Sequence, residues 1–213
     1  MLFDYTLAHW GTFLTAAILL NLSPGPDMAF ILAQTAKNGR RSGFAAMFGI
    51  WSGAFLHVLF AALGLSAILA TSATAFVVVK WVGAVYLIWL GLHALRSDGA
   101  SYVLGIGATT SGSMKIFRQG VLVAALNPKV AIFFLAFLPQ FVVEGAGPAS
   151  AQLFLHGLLI IMVAGLIEPP LVVVGAKLAR YLGKNPRVAT WMDRGLGTLF
   201  VGLGIRLALT ERG

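Results

Sequence analysis

Long apolar stretches alternate with short polar ones along the whole chain. Six apolar segments cover about 7–36, 44–70, 75–95, 120–143, 151–176 and 191–209. Each approaches or exceeds the roughly 20 residues that an α-helix needs to cross a hydrocarbon core. The pattern predicts an all-α membrane protein with six transmembrane helices. Within the first segment sits Asn21-Leu22-Ser23-Pro24-Gly25-Pro26-Asp27. A proline inside a helix costs about 3 kcal/mol, and an aspartate at bilayer depth at least ~2.5 kcal/mol more. The helix is therefore predicted to break at Ser23-Pro24, near mid-membrane. Asn127-Pro128 interrupts the fourth segment in the same way. In both, a capping residue is followed by proline, as at a helix start. Glu168-Pro169-Pro170 is expected to interrupt the fifth.

The polar links alternate in charge. Lys37, Arg40 and Arg41 follow the first segment; Arg96, Lys115 and Arg118 flank the third link; Lys177, Arg180, Lys184 and Arg187 fill the fifth. The link around Thr71-Ser72-Ala73-Thr74 is uncharged, and the one from Glu144 to Ser150 has no basic residue. Basic loops stay cytoplasmic, so both termini are predicted on the outer face, although Arg206 and Arg212 argue mildly the other way. Trp10, Trp51, Trp81 and Trp191 read as interface anchors, Trp51 fitting least well. Three spans and three spans joined by the longest loop give halves of about 1–100 and 115–213 within one domain, 1–213. Halves of opposite orientation make an inverted repeat, a plan of many secondary transporters.

Composition agrees with a membrane chain. Of 213 residues 59% are hydrophobic and 10% charged, against roughly 25% charged in soluble domains; mean hydropathy is +0.89. The net charge of +8 is explained by cytoplasmic loops, so no nucleic-acid partner is expected. The absence of cysteine excludes disulfides and thiolate metal sites. Met1-Leu2-Phe3-Asp4 lacks a basic start, and no cleaved signal peptide is expected. His9, His57, His93 and His156 are scattered without ligand spacing, which predicts neither a metal site nor a cofactor. His57, the most central, is the one placed to line a pore. Gly49-Ile50-Trp51-Ser52-Gly53 is a small-xxx-small match of the kind that lets helices approach closely.

The chemistry concentrates at the two breaks. Half-helices starting at mid-membrane present unpaired N–H groups and a partial positive charge, suited to a carboxylate. The candidate substrate site is Asn21, Ser23, Pro24, Gly25, Pro26 and Asp27 together with Asn127, Pro128 and Lys129. Asp27 and Lys129 each follow a break and are expected to pair. A substrate ammonium displacing Lys129, or a proton taken up by Asp27, would switch that pair. Glu168 is a second acid at depth, an alternative proton site or part of a cytoplasmic vestibule. The bland alternative is that the prolines merely kink packed helices. Two other functions fit the residues less well. An intramembrane hydrolase using Asp27 and Glu168 lacks a nucleophile–base arrangement, and an ion or metal permease would call for more carboxylates at depth.

These residues resemble the lysine-exporter superfamily, in particular its homoserine/threonine-exporter (RhtB-type) branch. The matching pieces are Ser23-Pro24-Gly25-Pro26-Asp27, Gly39-Arg40-Arg41-Ser42-Gly43, the stretch Gly83-Ala84-Val85-Tyr86-Leu87-Ile88-Trp89-Leu90-Gly91, and Leu126-Asn127-Pro128-Lys129. They span nearly the whole chain in the family's order; Glu168-Pro169-Pro170 has no match among them. The resemblance implies a six-span inner-membrane exporter of amino acids or derivatives, driven by an ion gradient and often proposed as a homodimer among lipids. Export, rather than uptake, comes from the resemblance alone.

Overall fold

In the computed structural model, residues 5–22, 25–66, 73–96 and 112–209 are described, and the regular elements among them are all helical. Helix α1 runs over Leu7–Leu22 and α2 over Pro26–Asn38, with a bend of 48° between them. Helix α3 is Arg40–Phe60 and continues through a wider π turn, Ala61–Leu65. Helix α4 is Ala73–Leu95 and α5 is Ser113–Ala125. A helical run labelled α6, Pro128–Phe141, bends 47° from α5. It begins as α-helix, widens to a π turn at Phe133–Phe137 and tightens to a 3-10 turn at Leu138–Phe141. Helix α7 is Ala149–Lys184 and α8 is Pro186–Leu209.

Both predicted breaks are present, but the first helix restarts later than its sequence suggested. Gly25 is the N-cap of α2 and Pro26 its first residue. Ser23 and Pro24 lie outside the described residues, as do residues 97–111 of the third link and Thr71 and Ser72 of the second. Two helical stretches, Arg40–Gly64 and Ala149–Gly175, are long and apolar enough to cross a membrane. Each bent pair passes the same test when taken as one span.

Two expected links are shorter than the charge pattern implied. Gly39 alone joins α2 to α3, at φ 80°, a conformation that L side chains rarely adopt and glycine does freely. Arg40 and Arg41 therefore belong to the first turn of α3. The fifth link is mostly helix: α7 is 36 residues long, about 54 Å at 1.5 Å per residue. Its apolar stretch, Ala149–Gly175, ends just before Lys177, and Asn185 alone separates it from α8.

A third correction concerns Pro169 and Pro170, which sit inside an unbroken α7. They free the carbonyls of Gly165 and Leu166, but the helix is held on both sides of the pair. Trp51 of α3 bonds Glu168 just before it, and Val172 just after it is fully buried among Ile31, Met47 and Ile50.

Glycines set the helix crossings. Gly49 and Gly53 of α3 meet Phe117, Gly120, Val121 and Ala124 of α5, with positions rising together, so these helices run parallel. A Cβ on Gly120 would lie 2.7 Å from the Ala46 carbonyl oxygen. The small-residue motif thus faces another helix of the same chain. Gly91 of α4 and Gly197 of α8 are reciprocal: a Cβ on either would lie 2.6 Å from the other's carbonyl oxygen. Gly204 meets Ala84 and Ile88, so α4 and α8 are antiparallel. Helix α1 runs parallel to α7, with Tyr5 bonded to Gln152 at one end and Asn21 to the Ile160 carbonyl at the other. A phenylalanine-rich core (Phe13, Phe133, Phe134, Phe137 and Phe141) fills the space between α1, α6 and α7.

Candidate functional site

The two breaks are built alike. Gly25 and Asn127 are N-caps, Pro26 and Pro128 follow as first helical residues, and Asp27 and Lys129 come next. Proline fits there because its missing N–H would have had no partner in the first turn. Asn127, 2% exposed, accepts the Lys129 backbone N–H through Oδ1 at 3.0 Å, which satisfies one orphan donor. Asp27 and Lys129 thus occupy equivalent positions of opposite charge.

Each break is closed by residues from elsewhere. Lys129 Nζ donates to the Leu20 carbonyl at 3.2 Å, placing a cation at the negative end of α1. Asn21 Nδ2 donates to the carbonyls of Ala17, at 2.8 Å, and Ile160, at 3.3 Å. At the other break His57 Nε2 donates to the Ala124 carbonyl at 3.1 Å. His57 therefore closes a helix end and is absent from the cavity lining.

A cavity opens between the breaks. Asn21, Gly25, Asp27, Lys129 and Glu168 supply its polar wall, and Met28, Ile50, Phe134, Ile160 and Ala164 are among the apolar residues completing it. The space open to the centres of water-sized molecules is about 50 Å³, room for roughly four waters. Asn127, Lys129 and His57 all lie near Asp27. Yet Asp27 Oδ1 and Asn127 Nδ2, both buried, have no hydrogen-bond partner among the described residues. An acceptor and a donor without partners at depth are costly and are suited to an incoming polar solute.

Glu168 is 7% exposed and accepts the Trp51 indole N–H through Oε2 at 2.7 Å. Glu168 lines the same cavity as Asp27 and Lys129. Trp51 is the residue that reading the sequence as interface anchors missed. Its one signal was a position several residues inside a span, where an indole N–H needs a buried acceptor. Trp81 and Trp191, by contrast, are largely exposed on the helix surface. Among the described residues no three His, Asp or Glu side chains gather as a metal site would require.

Relatives cover almost the entire chain. A family model described as LysE type translocator matches residues 18–211. A membrane protein of Pseudomonas aeruginosa is 32% identical over 95% of both chains. A homoserine/homoserine lactone efflux protein of Salmonella typhi is 30% identical over 95% of this chain and 97% of its own. A leucine efflux protein of Salmonella choleraesuis is 27% identical over 99% of this chain and all of its own. No solved structure matches. With a family model matched from the first predicted span almost to the C-terminus, the chain belongs to the LysE type translocator family.

Proposed function

We propose that the protein is a proton-coupled secondary transporter that exports an amino acid or amino-acid-like metabolite across the inner membrane. The observation that carries this reading is the meeting of Asn21, Gly25, Asp27, Lys129 and Glu168 around one cavity between two broken helices. Broken helices with polar groups at the break are how transporters hold small polar solutes. Relatives named for homoserine and leucine efflux support the substrate class and the direction.

In this reading the N-termini of α2 and α6 hold the substrate carboxylate, with Gly25, Pro26, Asn127 and Pro128 shaping the two helix starts; Ser23 and Pro24, outside the described residues, are assigned to the site from the sequence alone. Asp27 meets the ammonium or carries the coupling proton, Lys129 is its partner, and Glu168 is the second proton site. The chain is one domain of six spans, with α1–α2 and α5–α6 as the broken first spans of two inverted halves. The packing supports this plan. The first span of each half lies parallel to the second span of the other, α1 with α7 and α5 with α3, while the third spans α4 and α8 pair antiparallel. Both termini face outwards, and the resemblance extends the assembly to a homodimer in the lipid bilayer.

Counterflow in liposomes tests the carboxylate grip. Preloaded leucine or homoserine should drive uptake of the labelled free acid, and the corresponding amide should not compete. Equal competition by acid and amide would remove the two helix starts from the binding site.

A further inference from the structure

Away from the cavity, a second polar cluster ties α1 to α7 at the end where α1 begins. His9 Nε2 lies 2.8 Å from His156 Nε2. His156 is fully buried, and its Nδ1 lies 2.8 Å from the Gln152 carbonyl. That carbonyl can only accept, so His156 Nδ1 carries the hydrogen. In the neutral ring His156 Nε2 is then a lone-pair acceptor, and His9 Nε2 must be the donor. The tautomers of both rings follow from one carbonyl.

The surroundings fix the geometry. Gln152 is itself held by its amide, which donates to the Val143 and Gly147 carbonyls at 2.9 and 2.8 Å. Its Oε1 accepts the Val143 N–H at 2.9 Å and the Tyr5 hydroxyl at 3.0 Å. Tyr5 stacks on His9 with ring centres 4.4 Å apart, and Trp10 stacks on His156 at 5.5 Å. Phe13 and Phe141 stand edge-on or stacked beside His156. Among the described residues, the titratable groups facing the pair are Tyr5 and the two imidazoles themselves.

We infer that His9 and His156 form a binding site for one added proton, separate from the transport cavity and roughly 17 Å from it along α1. The first added proton goes to His9 Nδ1. The Nε2–H···Nε2 bond survives and becomes charge-assisted, and the new cation lies against the face of Tyr5, a favourable position for it. A second proton has only His156 Nε2 left. It would point two N–H groups at each other across 2.8 Å and separate α1 from α7. The site therefore takes one proton readily and resists another, so acid on the face where α1 begins first tightens this contact. Since α1 leads directly into the first break, the proton acts on one wall of the cavity from a distance.

Nitrogen-15 NMR of ring-labelled protein in lipid nanodiscs reads this directly, with resonances assigned by His57→Gln and His93→Gln. At alkaline pH His156 should appear as the Nδ1–H tautomer. On acidification the pair should titrate in two steps more than about 1 pH unit apart, as interacting sites do, with His9 gaining the first proton. His9→Phe should remove the split and leave His156 a single step at a changed midpoint. An Nε2–H tautomer for His156, or independent single steps for both rings in the wild-type protein, would overturn the inference. The wild-type titration decides the matter even if His9→Phe fails to fold.

Discussion

Lys129 donates its ammonium hydrogen to the Leu20 carbonyl, 109 positions earlier in the chain. One broken helix thus supplies the cation that closes the end of the other. The contact links the two proposed halves through backbone and charge together, and it puts Lys129 where its loss would be felt by both fold and cavity. Lys129→Met should lower stability by about 1.5–3 kcal/mol, the range for a hydrogen bond to a charged group. Chemical denaturation in mild detergent would check this, and an unchanged midpoint would show that water closes the break as well as Lys129 does.

Asp27 and Lys129 occupy the same position after the two breaks with opposite charge. Leaving either one unpaired at depth costs more than removing both. Asp27→Asn should lose pH-driven accumulation in reconstituted vesicles while keeping substrate exchange. The Asp27→Asn, Lys129→Met double variant should recover much of the stability that each single change loses. Strictly additive losses would mean the two charges do not act as a pair.

Trp51 holds Glu168 through an indole N–H at 2.7 Å. Trp51→Phe keeps the ring but leaves Glu168 Oε2 without that donor. A charge-assisted bond worth about 1.5–3 kcal/mol corresponds to a loss of roughly 10- to 150-fold if it is made in the transport cycle. Initial rates of counterflow measure the effect, with Trp81→Phe on the exposed helix surface as the control that should retain full activity.

Helix contact through glycine is equally testable. A Cβ on Gly197 would lie 2.6 Å from the Gly91 carbonyl oxygen, whereas one on Gly202 meets nothing within 4 Å. Gly197→Ala should destabilise by about 1–3 kcal/mol through overpacking. Gly202→Ala should be neutral or stabilise by up to about 1 kcal/mol through helix propensity. Thermal unfolding of the two purified variants separates them.

Cysteine scanning tests the orientation, since the natural chain has no cysteine. A cysteine at Gly147 should react with an impermeant thiol reagent in intact cells, and cysteines at Asn38 or Asn185 should not. The opposite labelling would reverse the sidedness drawn from the basic links.

The sequence by itself determined what is local. Apolar run length gives helices, proline chemistry gives the two breaks, and Asn127 before Pro128 gives the cap that the structure contains. It also marked Asp27, Lys129 and Glu168 as charges too costly to be buried without a purpose. Where local rules failed, neighbours were the cause. Pro169 and Pro170 leave α7 unbroken because packing on either side holds the helix, a stabilisation that a rule for isolated helices omits. The tertiary structure alone decided which side chains line one cavity, that Trp51 grips Glu168, that His57 closes a helix end, and that His9 touches His156. Such contacts join residues from about 65 to 150 positions apart. They depend on the register of one helix against another, which close glycine crossings fix in space and no local pattern of residues records.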